Sequence, residues 1–73
     1  MAKLGVFSGL EVCKILMRCG FVQVRQRGSH IVMQKKTSDS TVTVPVPNHK
    51  EIRIGTLQAI IRQAGLARNE FES

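Results

Sequence analysis

Phe21-Val22-Gln23-Val24-Arg25-Gln26-Arg27-Gly28-Ser29-His30-Ile31-Val32-Met33-Gln34-Lys35-Lys36 is the stretch whose reading decides the fold. Polar and apolar residues alternate on both sides of Gly28-Ser29, the mark of two half-buried strands joined by a two-residue turn. In that register Arg27 faces His30, Arg25 faces Val32 and Val24 faces Met33. Side chains alternate between the faces of a strand, so Val22, Val24, Ile31 and Met33 are expected on one face. Gln23, Arg25, Arg27 and His30 are expected on the other. One imidazole among guanidinium groups on an open sheet face suits a polyanion and its cleavage.

Upstream, Ser8-Gly9-Leu10-Glu11 reads as a capping box that opens a helix running to about Cys19, with Gly20 to end it. Glu11, Lys14 and Arg18 form one polar stripe, while Leu10, Val12, Cys13, Ile15, Leu16, Met17 and Cys19 predict a mostly buried remainder. Downstream, Thr37-Ser38-Asp39-Ser40 is a polar turn, and Thr41-Val42-Thr43-Val44-Pro45-Val46 alternates as a third strand. That turn places Val42 and Val44 on the core face with Met33. Pro45 and Pro47 lack amide donors, so this strand is expected to lie at an edge or to end there. Residues 47–54 connect it to a second helix, which starts near Gly55-Thr56. Leu57, Ile60, Ile61 and Ala64 carry the core spacing there, and Gly65 with Leu66 closes it. Asn69-Glu70-Phe71 adds a short turn in which Phe71 covers the edge of the core.

The expected order is therefore helix, three antiparallel strands, helix: an α+β domain spanning residues 1–73, with both helices on the one apolar sheet face. The opposite face carries Gln23, Arg25, Arg27, His30, Val32, Gln34, Thr41 and Thr43, with nothing left to cover it. Eleven Lys and Arg against five Asp and Glu give a formal charge of +6 over 73 residues, which points to an acidic partner. No apolar run approaches the roughly 20 residues of a membrane-spanning helix. The N-terminal apolar stretch is too short for a signal peptide, so a cytoplasmic location is expected. Cys13 and Cys19, six positions apart on one helix, sit about 9 Å apart and beyond disulfide reach.

Cleavage of RNA requires a base for the 2′-hydroxyl proton and cations to stabilise charge on the phosphorane. His30 offers the first, and Arg25 and Arg27 the second. A metal site built from His30, His49, Cys13 and Cys19 lacks both ligand spacing and a carboxylate. A Ser29–His30 nucleophilic pair fails because neighbours on a strand point to opposite faces. The aromatic residues Phe7, Phe21 and Phe71 all fall at core positions. With no Tyr or Trp, the open face has no base-stacking platform, and any RNA grip must rest on phosphates and 2′-hydroxyls. Gly55-Thr56 at a helix start offers free amides as a further phosphate contact.

Three stretches carry a family resemblance: Arg25-Gln26-Arg27-Gly28-Ser29-His30, Val42-Thr43-Val44-Pro45, and Gly55-Thr56-Leu57 through Ile60-Ile61-Arg62-Gln63-Ala64-Gly65-Leu66 with Phe71. In that order, together with Ser8-Gly9-Leu10-Glu11 and Gly20-Phe21, they resemble the HicA (YcfA-like) toxins over almost the whole chain. The resemblance implies a fold like that of double-stranded-RNA-binding domains and a metal-independent mRNA endoribonuclease without cofactors. It further implies neutralisation by a HicB-type antitoxin. His30 would be the catalytic residue, with Arg25, Arg27, Gly28, Ser29, Lys50, Thr56 and Arg62 contacting RNA. The free chain is expected as a monomer or weak dimer. Where many members place a second His directly after the catalytic one, this chain has Ile31, which the pairing turns into the core. His49, in a Pro-x-His segment that also resembles the family, lies in the connecting loop, where a solvated histidine is expected and a phosphate contact is the alternative. A non-catalytic RNA-binding module of the same fold, or a basic surface that docks an acidic protein, would share these features without cleavage.

Overall fold

Ser8 caps the first helix as its sequence predicts. Its Oγ accepts the Glu11 N–H at 3.1 Å, and the Glu11 carboxylate accepts the Ser8 N–H at 2.9 Å. Two of the amides that a helix start leaves without partners are thereby satisfied. The computed structural model describes residues 4–72. It orders them as α1 (Gly9–Arg18), β1 (Val22–Arg27), β2 (His30–Lys36), β3 (Thr41–Pro47) and α2 (Ile54–Ala64), followed by a 3-10 turn at Arg68–Phe71. The sheet is antiparallel in the order β1-β2-β3. β3 therefore lies at an edge, where Pro45 and Pro47 can sit without costing the sheet a hydrogen bond.

Both helices end in the same way. At α1 the Phe21 N–H donates to the Leu16 carbonyl and the Gly20 N–H to Met17; at α2 Leu66 donates to Ile61 and Gly65 to Arg62. This pair of bonds reverses the chain and drops an apolar residue back onto the last turn. Phe21 is buried and Leu66 packs against the core.

Ile31, Met33, Val44 and Val46 supply the apolar sheet face. α1 lies across all three strands, and α2 lies along β3. Val12, Cys13, Ile15 and Leu16 of α1 meet Leu57, Ile60, Ile61 and Ala64 of α2 in one cluster over that face. Phe71 closes it from the C-terminal turn, fully buried and edge-to-face with Phe7 at 6.2 Å. The Gly5 N–H donates to the Phe71 carbonyl at 2.7 Å, tying both ends of the chain to the same corner.

Two expectations are corrected. Val24 does not face Met33: Gln23 does, Arg25 still faces Val32, and the register shifts between them. Val24 is thus the extra residue of a β-bulge, which turns every side chain before it to the opposite face. Val22 leaves the core face to pair with Gln34, and Gln23 leaves the open face. Both valines stay outside the core, at 58% and 43% exposed, while Phe21 just before them is buried. Leu10 and Met17, expected inside, are 59% and 50% exposed. One turn of α1 cannot bury its whole circumference against a single sheet, and these two lie seven residues apart on the side turned away. Ile52, in the connection between β3 and α2, is buried.

Candidate functional site

The β1–β2 turn is built by its glycine. Gly28 has φ of 57° and Ser29 a negative φ, the pattern of a type II′ hairpin turn. Space is not the reason for glycine, since a Cβ at Gly28 would meet nothing within 4 Å. Only the backbone conformation excludes a side chain there. Gln26 closes the turn by donating to the Gly28 carbonyl at 3.3 Å.

His30 opens β2 immediately after the turn. It pairs with Arg27 on one side and Pro47 on the other, and Arg25 pairs with Val32 two positions along. Directly paired residues share a face, so Arg25, Arg27 and His30 stand together on the side opposite the helices. All three are exposed. Neither arginine has a carboxylate partner among the described residues, where Arg68–Glu72 at 3.4 Å is the ion pair present. The expected grouping of one imidazole with two free guanidinium groups holds despite the bulge, because the bulge precedes Arg25.

The connection after β3 is fastened to the same end of the sheet. The Asn48 N–H donates to the Ser29 carbonyl at 2.6 Å, and the Gly9 N–H donates to the His49 carbonyl at 2.9 Å. α1 presses so closely that a Cβ on Gly9 would overlap the Pro47 carbonyl oxygen and lie 2.9 Å from Asn48 Cα. A further bond, from the Ile52 N–H to the Phe7 carbonyl at 2.8 Å, holds the far end of the connection. His49 and Lys50, both exposed, thereby hang from a segment anchored to the turn that carries His30.

The model of the HicA toxins of bacterial toxin–antitoxin systems matches residues 9–66, which include both helices, the whole sheet and the Gly28-Ser29-His30 turn. The chain belongs to the HicA toxin family. No curated protein matches it. Membership in this family implies an antitoxin as partner. Ile31 of this HicA toxin is 2% exposed and points into the core, as the pairing required.

Thr56 lies exposed in the first turn of α2, whose start has no side-chain cap and no acidic residue. Its amides are open, in contrast to those of α1, where Ser8 and Glu11 occupy them. Arg62 is not gathered with the others. Eight residues past the start of α2, or about 12 Å along its axis, it lines an open hollow with Leu4, Gln58, Ile61, Leu66 and Arg68. Among the described residues, no three His, Cys, Asp or Glu side chains cluster in a way that could hold a metal ion. Cys13 and Cys19 are free, and burial pushes the Cys13 thiol up from its ordinary value. No helix among the described residues is long and apolar enough to cross a membrane. The anchoring of residues 48 and 49 escapes sequence reading because backbone-to-backbone bonds leave no mark on side-chain type.

Proposed function

We propose that this HicA toxin is a metal-independent endoribonuclease of mRNA, acting in the cytoplasm as a single domain, with His30 as the group that moves the proton. The observation that carries the reading is the exposed His30 beside the unpaired Arg27 and Arg25 on the open sheet face. A phosphodiester lying across that face meets an imidazole, a side chain that can both take and give a proton. It also meets two guanidinium groups to stabilise negative charge as the 2′-oxygen attacks phosphorus. Gly28 and Ser29 keep the turn low enough for backbone to approach. Lys50 and the open amides around Thr56 extend the grip on phosphate. Arg62, lying apart, serves at most a distant stretch of the same RNA. Products are a 2′,3′-cyclic phosphate and a 5′-hydroxyl.

Cleavage of a defined RNA in EDTA by the parent and by His30→Ala tests this. The parent is expected to cleave and the variant to lose activity with RNA binding nearly intact. Binding without cleavage by the parent would select the non-catalytic module, and recovery only with Mg²⁺ or Mn²⁺ would refute metal independence. The partner is read as a HicB-type antitoxin with an acidic surface that covers the same face. Antitoxin and RNA then compete, and salt weakens both complexes.

A further inference from the structure

Transesterification of RNA needs two proton transfers at one phosphate: one from the attacking 2′-oxygen, one to the departing 5′-oxygen. A lone imidazole serves both only in succession. The chain has two histidines, His30 and His49, and the fold brings their backbones together. His30 stands opposite Pro47 in the sheet, so their Cα atoms are separated by about 5 Å. His49 follows two residues later, at most about 7 Å further along the chain. The Asn48 N–H bond to Ser29 and the Gly9 N–H bond to the His49 carbonyl fix that residue from both sides. Both of these bonds use backbone atoms. The imidazole of His49 is exposed and unburdened by any hydrogen bond among the described residues.

Resting on the ribonuclease reading above, we propose that His49 is a second catalytic residue and shares the two proton transfers with His30. In the step, the 2′-oxygen bonds to phosphorus while its proton passes to whichever imidazole is neutral. The bond from phosphorus to the 5′-oxygen breaks, and that oxygen takes a proton from the other, protonated imidazole. The two histidines leave the step with their protonation exchanged, and water restores them. The charged groups on the elements that carry or hold them are Arg25 and Arg27 of the hairpin, Lys50, Glu51 and Arg53 on the connection, and Glu11 of α1, whose carboxylate is engaged with the Ser8 amide.

The test compares the parent, His49→Ala and His49→Gln in EDTA, using an oligonucleotide with one cleavable ribonucleotide. A second substrate carries sulfur in place of the bridging 5′-oxygen, a leaving group that departs without a proton. The parent's kcat/KM is expected to rise and then fall with pH, and His49→Ala to lose one limb with a rate fall of about 10²–10⁴-fold. The sulfur substrate is expected to restore one of the two variants, His49→Ala or His30→Ala, and not the other. A profile for His49→Ala that keeps both limbs, with only KM raised, would overturn the proposal and leave His49 a phosphate contact. Restoration of both variants, or of neither, would overturn it as well. Thermal melting of the variants, expected to match the parent because both positions are exposed, excludes loss of fold. Failure of the parent itself to cleave counts against the ribonuclease reading, whereas cleavage indifferent to His49 counts against this inference alone.

Discussion

Replacing Gly9 by alanine sets two effects of known size against each other. In an exposed helix interior the change stabilises by up to about 1 kcal/mol, because alanine surrenders less backbone entropy than glycine. At Gly9 the new Cβ would overlap the Pro47 carbonyl oxygen and approach Asn48 Cα to 2.9 Å. Both neighbours are backbone, so no flexible side chain can yield; α1 must back away from the end of β3. Forcing a methyl group into packed surroundings costs about 1–3 kcal/mol. Lifting α1 also strains the Gly9 N–H bond to the His49 carbonyl, worth about 0.5–1.5 kcal/mol. The net expectation is a destabilisation of about 1–3 kcal/mol, a fall in Tm of about 4–8 °C for each kcal/mol in a domain this size. Gly55→Ala is the control: it too lies in the first turn of a helix, but open space surrounds it and its φ is not positive. There the entropy gain stands alone, and a rise of up to about 1 kcal/mol is expected. Urea and thermal unfolding of both variants decide the matter. A Gly9→Ala protein as stable as its Gly55→Ala counterpart would refute the close approach of α1 to the connection.

Phe71→Ala removes a fully buried ring and its edge-to-face contact with Phe7. It is expected to lose about 3–5 kcal/mol, enough to leave much of the chain unfolded in a thermal melt at 37 °C. Charge removal by Arg25→Ala with Arg27→Ala should weaken single-stranded RNA binding across sequences and reduce the salt slope by about 1–2, at roughly 0.7 per phosphate contact; an unchanged slope would exclude both from the interface. For Cys13 the folded thiol titrates above its ordinary value of 9.0 because burial disfavours the thiolate. The unfolded chain therefore gives up this proton first as pH rises, so stability is full below about pH 9 and declines from there toward the folded value. Cys13→Ala is expected to flatten that decline in melts between pH 8 and 10, and an identical slope would exclude the thiol as its source.

Much of this architecture is legible in residues whose backbone demands are unusual. Gly28 marks the hairpin, Gly20 and Gly65 the two helix ends, and the proline pair the outer strand. The His30, Arg25 and Arg27 grouping follows from the turn alone, since pairing counts outward from it. The bulge at Val24 is invisible because Val22-Gln23-Val24-Arg25 alternates perfectly and nothing in those side chains reports an unpaired residue. Arg62 is expected at the RNA from the sequence, but the structure places it at a hollow of its own. Helical phase tells which side a residue faces, but Arg62 lies about 12 Å along the axis from the start of α2, beside Leu4, Leu66 and Arg68. Ile52 is the opposite case, an isolated apolar residue whose burial depends on where the chain crosses Phe7.

The proline pair at the sheet's margin also governs the company this toxin keeps. A toxin released from its antitoxin circulates with a naked strand border, and such borders recruit other strands indiscriminately. Pro45 and Pro47 withhold donors along one border, and the bulge at Val24 breaks the regular spacing of the other. A liberated copy thus has little to offer a neighbouring copy by continued sheet formation. The same defence denies a partner an easy extension of β3, so an antitoxin must gain its hold chiefly through side chains, which can be matched to one toxin and mismatched to the next.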